Sequence, residues 1–374
     1  MPSSLPILMT STSYPRSATD WRGVFIRDMV NALAADPFLQ VSLWAPPGVL
    51  PPLVRDACLP EEARWLTQLL EQGGIAQVLR KGKGLARITS PVGLLWLLRN
   101  VYRRSPDVAL FHVNWLQNAL PLLCTKTKQP ALITVLGSDL GLLRLPGMSW
   151  LLRKTFQQRR CMLAPNAEWM TMILKEHFGE VAEIAPISFG IDEKWYAVQR
   201  QWSSERPSRW LVVSRITAPK IGPLFAWGES LFSSGVQELH LFGPRQDSLP
   251  IPAWVHYHGA THPQALQEQW FPQATGLITL SQHNEGRPQV VLEAMAAGVP
   301  VLASPLPAHT DVIAHRKTGW LAPSADFFHE GIRWLSERQA NEDIARQARA
   351  FVKEQMGTWE DCAGRYRSAY QKLV

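Results

Sequence analysis

The sequence predicts an α/β protein built from two doubly wound, Rossmann-like domains. Short apolar runs of strand length alternate with helix-period segments, the pattern of a parallel sheet covered on both faces. That pattern restarts after residues 195–207, a stretch marked by Trp and Pro. The chain has 374 residues, and single cores stop growing near roughly 250–300, so two domains are expected.

Each element follows from local chemistry. Residues 5–10 read as the first strand, and a loop rich in Ser, Thr and Tyr leads to Asp20-Trp21-Arg22-Gly23. Val24, Phe25, Met29 and Leu33 then recur at helical period. Strands follow at 41–44, 107–112 and 131–136, and Asn166 is placed to cap a helix running through 168–179. In the second half, strands are expected at 210–214, 238–242, 255–258, 275–280 and 299–304. Between the last two lies a helix that opens at Pro288 and stops before Gly298, the usual asymmetry of helix ends. Residues 359–373 are helical by period, with Tyr366 and Tyr370 on one face.

Composition excludes several classes. With 46% hydrophobic and 18% charged residues, this is a soluble globular composition. Cys58, Cys124, Cys161 and Cys362 share no metal-ligand spacing, which disfavours zinc and a disulfide framework. No signal peptide and no run of about 18 apolar residues is found, so a cytoplasmic protein is expected. Neither Gly-x-Gly-x-x-Gly nor a P-loop occurs, which disfavours nicotinamide and ATPase chemistry. No Asp-x-Asp is present, which argues against a diphosphate gripped through a metal. No nucleic-acid-binding signature appears.

Charge is uneven. Residues 1–190 hold 20 Lys+Arg against 13 Asp+Glu, and residues 191–374 hold 18 of each. No acid lies between Gln72 and Pro106, while Arg80, Lys81, Lys83, Arg87, Arg99, Arg103 and Arg104 supply seven cations. Apolar residues 91–98, including Trp96, interleave with them. Segment 80–104 therefore suits an anionic membrane surface, or equally a buried helix with solvated basic ends.

The densest chemical signal is Glu285-Gly286-Arg287-Pro288-Gln289-Val290-Val291-Leu292-Glu293. It follows an expected strand, at the carboxyl end where open parallel sheets bind ligands. Carboxylates accept hydrogen bonds from sugar and ribose hydroxyls, and a helix N-terminus favours phosphate. Taken singly, each glutamate reads as a solvated surface acid. Ser214-Arg215 ends another strand, and Lys220-Ile221-Gly222 follows it. A planar guanidinium and a compact ammonium there would flank a diphosphate.

The Glu-x7-Glu segment, with Ala294-Met295-Ala296-Ala297-Gly298-Val299-Pro300-Val301 behind it, resembles the retaining glycosyltransferases of family 4. That resemblance implies the GT-B fold, two Rossmann-like domains facing across a cleft. It implies domains at 1–190 and 191–354, with a final helix at 355–374 returning to the first. The implied activity moves a hexose from a nucleotide-diphosphate-sugar donor to a hydroxyl. Its acceptor would be a glycan or lipid-linked molecule in cell-surface polysaccharide or glycolipid synthesis, with no cofactor, at the inner face of the membrane. Arg215 and Lys220 would hold the diphosphate, Glu293 the ribose and Glu285 the transferred sugar. Gly286, Arg287 and Pro288 would complete the donor loop, and Gly23 would bring first-domain backbone near the phosphates or acceptor.

The chain departs from the family at Leu136-Gly137-Ser138-Asp139, where many relatives carry a histidine in place of Leu136. His112 or Asp139 are candidates to substitute. Asp139 reads either as the group orienting the acceptor hydroxyl or as a helix N-cap. Two rival activities remain on the same frame. One is a nucleotide-sugar epimerase or hydrolase, and the other a non-catalytic partner binding nucleotide sugar or glycan.

Overall fold

The computed structural model describes residues 4–17, 20–75, 78, 86–202, 207–283 and 285–374. The chain divides into two compact units, Met1–Phe189 with Trp359–Val374, and Gly190–Thr358.

In the first unit the described residues form a seven-stranded parallel sheet in the order β3-β2-β1-β4-β5-β6-β7. The strands are β1 (Leu5–Thr10), β2 (Leu39–Trp44), β3 (Arg55–Asp56), β4 (Leu110–Asn114), β5 (Ala131–Val135), β6 (Cys161–Pro165) and β7 (Glu183–Ile184). Every residue of β4, β5 and β6 is buried, because helices cover both faces of the sheet. β1 shows the division of labour. Ile7 and Met9 enter one core and Leu8 the other, as alternation along a strand requires. α1 (Val24–Ala35) packs on the first face. The other is covered by α2 (Pro60–Glu71), α3 (Ala86–Arg103), α4 (Met148–Phe156) and α5 (Thr171–Phe178).

Two local expectations are corrected. The strand expected at 107–112 begins at Leu110, because Asp107 is exposed and unbroken burial starts only there. Asn166 caps no helix. Its N–H donates to the Val135 carbonyl at 3.0 Å, prolonging the β5–β6 pairing. A single 3₁₀ turn, Glu168–Met170, follows with Ala167 at its cap, and α5 starts at Thr171.

In the second unit the described residues form a six-stranded parallel sheet in the order β10-β9-β8-β11-β12-β13. Its strands are β8 (Ser208–Val213), β9 (Gln237–Phe242), β10 (Val255–Gly259), β11 (Gly276–Thr279), β12 (Val301–Ala303) and β13 (Trp320–Leu321). Its helices include α6 (Glu193–Ala197), α7 (Ala218–Ile221), α8 (Leu224–Phe232), α9 (Gln289–Ala296), α10 (Pro307–Thr310), α11 (Ala325–Ser336) and α12 (Arg338–Gln355), with short helical turns over residues 263–273 between β10 and β11. Pro288 is the N-cap residue of α9, and Gly298 follows its end. Strand order reverses between β1 and β4 in the first unit and between β8 and β11 in the second. Such a reversal opens a crevice at the carboxyl ends of the two diverging strands.

Gln355 closes α12, so the segment that rejoins the first unit begins at Trp359 and forms α13 (Trp359–Leu373). α13 packs beside α1, and its two buried tyrosines reach the sheet. Tyr366 Oη lies 2.9 Å from Thr134 Oγ1, Tyr370 Oη lies 2.7 Å from His112 Nδ1, and His112 Nε2 lies 2.8 Å from Thr134 Oγ1. A four-member polar network inside an apolar core fixes the register of α13, since each member left unpaired would cost about 1–3 kcal/mol.

Candidate active site at the second switch point

The site assembles where β8 and β11 end side by side. Arg215 lies two residues past β8, and Lys220 lies in the short helix α7 that follows. β11 ends at Thr279 and leads through Ser281 to Glu285. Two features bind these loops together. The Gln282 N–H donates to the Pro219 carbonyl at 2.7 Å. Gly222, at φ +55°, lies so close to Leu280 that a Cβ would stand 2.1 Å from its carbonyl oxygen. Only glycine tolerates that approach.

Lys220 and Glu285 form a salt bridge, with their side chains 14% and 15% exposed. Burial pulls the Lys220 ammonium below its ordinary range; Glu285 works against that, and the nearby Arg215 charge adds to it. So the structure brings Lys220 and Glu285 into contact, with Arg215 close enough to act on Lys220. Glu293 stands on α9, partly exposed.

The rest of the Glu285 loop is held in place by burial and pairing. Gly286 and Pro288 are buried. Arg287 turns inward to Asp311, Nε reaching it at 3.1 Å, with both side chains only 5% exposed. Its Nη1 also points at Met356 Sδ, 3.2 Å away. Arg287 thus ties the Glu285 loop to the segment after β12.

Three further residues belong to this edge and went unread in the sequence. Ser281 Oγ donates to Glu285 Oε1 at 3.2 Å, and Ser304 Oγ donates to the Ser281 carbonyl at 2.6 Å. Ser304 is followed on α10 by His309, which is fully buried. Its Nδ1 lies 2.8 Å from the Ser304 carbonyl. Burial holds the His309 imidazole below its usual value, against the pull of that carbonyl and of Glu285, while the Lys220 charge adds to the depression. Small hydroxyls in loops are common; the available signal was that Ser304 follows directly on buried β12 and Ser281 lies two residues past β11.

The strand ends of the first unit are arranged differently. Asp139 is 4% exposed, and its two carboxylate oxygens accept the N–H groups of Leu116 and Leu136, each at 3.0 Å. Burial pushes this carboxyl up to about 6, against those backbone donors. Leu136 is itself buried. His112 is fully buried, hydrogen-bonded to Tyr370 and Thr134, and pushed by burial down to about 3. Gly23, at φ +68°, sits before α1, and a Cβ there would lie 2.7 Å from Ser13 Oγ. Its missing side chain makes room for the Ser13–Tyr14 backbone. Trp115 takes φ +69° at the end of β4 and meets Phe25 edge-on, ring centroids 6.3 Å apart.

Away from both edges, a hollow of about 460 Å³ lies beside α2 and α3. Its Glu62 and Arg104 are paired with each other, and Glu62 also accepts from Trp44 Nε1. Among the described residues no cluster of three or more His, Cys, Asp or Glu side chains is arranged to hold a metal ion.

Residues 248–351 match the family described as glycosyl transferases group 1. That span holds Ser281, Glu285, Glu293, Ser304 and His309, whereas Arg215 and Lys220 precede it. A comparison with curated proteins returns no match. Solved structures align over nearly the whole chain. A sucrose-phosphate synthase from Thermosynechococcus elongatus superposes with a TM-score of 0.75 at 17% identity, covering 99% of each chain. HepE of Anabaena in complex with UDP-glucose gives 0.67 at 15% identity, over 99% of this chain and 100% of that one. A trehalose-6-phosphate synthase, OtsA, gives 0.71 at 11% identity, over 99% and 100%. The fold is GT-B, two Rossmann-like α/β domains in one chain. Family match and fold together support a glycosyltransferase.

Proposed function

We propose that this chain is a retaining glycosyltransferase of family 4 that moves a hexose from a nucleotide diphosphate to a hydroxyl. The carrying observation is the Lys220–Glu285 pair at the β8–β11 switch, with Arg215 beside it. A cation and an acid already in contact there suit a ligand with an anionic end and a hydroxyl-rich end. Arg215 and Lys220 take the diphosphate and stabilise it as it departs, Glu285 takes the sugar, and Glu293 takes the ribose. Buried Gly286 and Pro288, with the Arg287–Asp311 pair, keep the loop from shifting as charge redistributes. The acceptor hydroxyl attacks on the face that the diphosphate leaves, and a phosphate oxygen receives its proton. No metal is required in this scheme, because two protein cations carry the leaving charge.

A nucleotide sugar as ligand is supported by HepE, whose structure holds UDP-glucose. A thermal-shift screen against UDP-, GDP-, ADP- and dTDP-sugars tests the reading, because a ligand of the folded state raises the melting point. If none of them shifts the transition, the donor site is refuted.

The acceptor reading is a glycan or lipid-linked molecule of cell-surface polysaccharide or glycolipid synthesis, met at an anionic membrane face. On α3, Leu94, Leu97, Leu98 and Val101 enter the core, while Ile88, Val92 and Trp96 form an exposed stripe, 65%, 60% and 59% accessible. Exposed Arg103 and partly exposed Arg99 accompany it. Arg80, Lys81 and Lys83 lie outside the described residues, as does the Arg87 side chain. No helix among the described residues is long and apolar enough to cross a membrane, so contact would be peripheral. Sedimentation with anionic vesicles at low salt tests this, and a protein left in the supernatant refutes it.

A second reading, a non-catalytic nucleotide-sugar binder, is favoured by Leu136 and by the burial of His112. Release of free nucleoside diphosphate in the presence of acceptor separates the two.

A further inference from the structure

We propose that His309 is a positioning residue for Glu285, acting through Ser304 and Ser281. This rests on the donor-site reading above and extends it to a residue outside the Glu-x7-Glu segment.

The chain of contacts is continuous. A carbonyl can only accept, so the 2.8 Å contact from His309 Nδ1 to the Ser304 carbonyl fixes the proton on Nδ1. Ser304 Oγ spends its single proton on the Ser281 carbonyl, and Ser281 Oγ spends its own on Glu285 Oε1. Ser281 also accepts the His283 N–H at 3.1 Å, which pins its hydroxyl from the other side. Each link therefore has one direction. The relay ends on the carboxylate assigned to the sugar.

The imidazole is otherwise a costly choice for this position. With the proton on Nδ1, Nε2 is a bare acceptor, fully buried and without a partner among the described residues. Burying such a nitrogen is unfavourable, and an apolar ring or chain would fill the space without that cost. What the histidine supplies in return is the Nδ1–H that holds Ser304.

The relay matters once a ligand arrives. Glu285 is held from two sides, by Lys220 and by Ser281. A diphosphate competes with Glu285 for the Lys220 ammonium. As Lys220 turns to the diphosphate, Ser281 and its backing become the remaining hold on the carboxylate. Losing His309 should then spare capture of the diphosphate and harm the step that uses Glu285.

The test uses the full chain with His309→Leu, His309→Gln and Ser304→Ala. Two quantities are measured: the Kd of the bare nucleoside diphosphate chosen by the thermal-shift screen, and kcat and KM for its nucleotide sugar. His309→Leu should lower kcat about tenfold, the effect of one lost orienting hydrogen bond, with the diphosphate Kd unchanged. His309→Gln, which keeps an N–H donor, should recover most of that loss. If His309→Leu does not fold, Ser304→Ala removes the middle link and should give the same split. Equal losses in kcat and diphosphate affinity, or no loss in either, overturn the proposal. A wild type that binds diphosphate yet turns over no nucleotide sugar also overturns it, while leaving donor binding intact. Absence of any diphosphate binding overturns the donor site itself, a different failure.

Discussion

The two units share one architecture and use the carboxyl ends of their strands in different ways. At the β8–β11 edge, a lysine and a glutamate meet in a partly open setting, with serines and a histidine behind them. Around the ends of β4 and β5 in the first unit, the polar groups are turned inward: Asp139 ties together the loops that follow these two strands, and His112 and Thr134 anchor α13. Sheet topology alone therefore does not determine a site. What separates the two regions is the kind of partner: an opposite charge for Lys220 and Glu285, backbone N–H groups and the α13 tyrosines for Asp139, His112 and Thr134. In the second unit the polar groups form an ion pair in the loops after two strands, whereas in the first Asp139, His112 and Thr134 are hydrogen-bonded within the fold.

That contrast can be broken by substitution, and the largest effect is expected from Arg287. Arg287→Ala leaves Asp311 buried without its counter-charge, which should cost about 3–5 kcal/mol. Calorimetry should show the second unit melting early and the first unchanged; a normal second transition would contradict a structural role. Glu285→Gln should reduce transfer by about 10²- to 10³-fold, the loss expected when a charge-stabilising group is removed. Binding of bare nucleoside diphosphate should persist, since Lys220 is freed, and wild-type turnover would exclude Glu285 from the mechanism. Lys220→Ala should raise the Kd of that diphosphate about tenfold, as loss of one charge-assisted hydrogen bond predicts. An unaltered Kd would mean the lysine serves only Glu285.

The smallest effect sharpens the first unit's side of the contrast. His112 is held well below its free value, so its folded-state contribution is complete above about pH 6.5 and drains away as pH falls toward about 3. Asp139 is pushed upward, so its contribution is complete below about pH 4 and is lost as pH rises through about 6. Their opposite signs blur in the wild-type curve, and a difference isolates one. The gap in melting temperature between wild type and His112→Gln should shrink from about pH 7 to about pH 4. A gap that widens instead would reverse the assignment.

Much of the fold was legible because fully buried parallel strands are written as unbroken apolar runs. Residues 131–133 and 210–213 announce themselves in this way. Asn166 misled because a polar residue after a strand reads as a cap, whereas here β-pairing with Val135 extends past it. At the site, Lys220 and Glu285 were legible as charges in loops that follow strands. The direction of Arg287 was not, since nothing local distinguishes a guanidinium facing a ligand from one facing Asp311. His309 was invisible for a related reason. Its importance depends on Ser304 and Ser281, which meet only when β11 and β12 lie side by side.

The return of α13 to the first sheet has a consequence for how the molecule is put together. The chain leaves the first unit after Phe189 and re-enters it at Trp359, where those two rings meet at 5.5 Å. Topologically the second unit is a guest spliced into a host, entering and leaving through one doorway. Damage to the tail of the chain would therefore strike the host, most of whose sequence lies far upstream, and spare the guest that immediately precedes it.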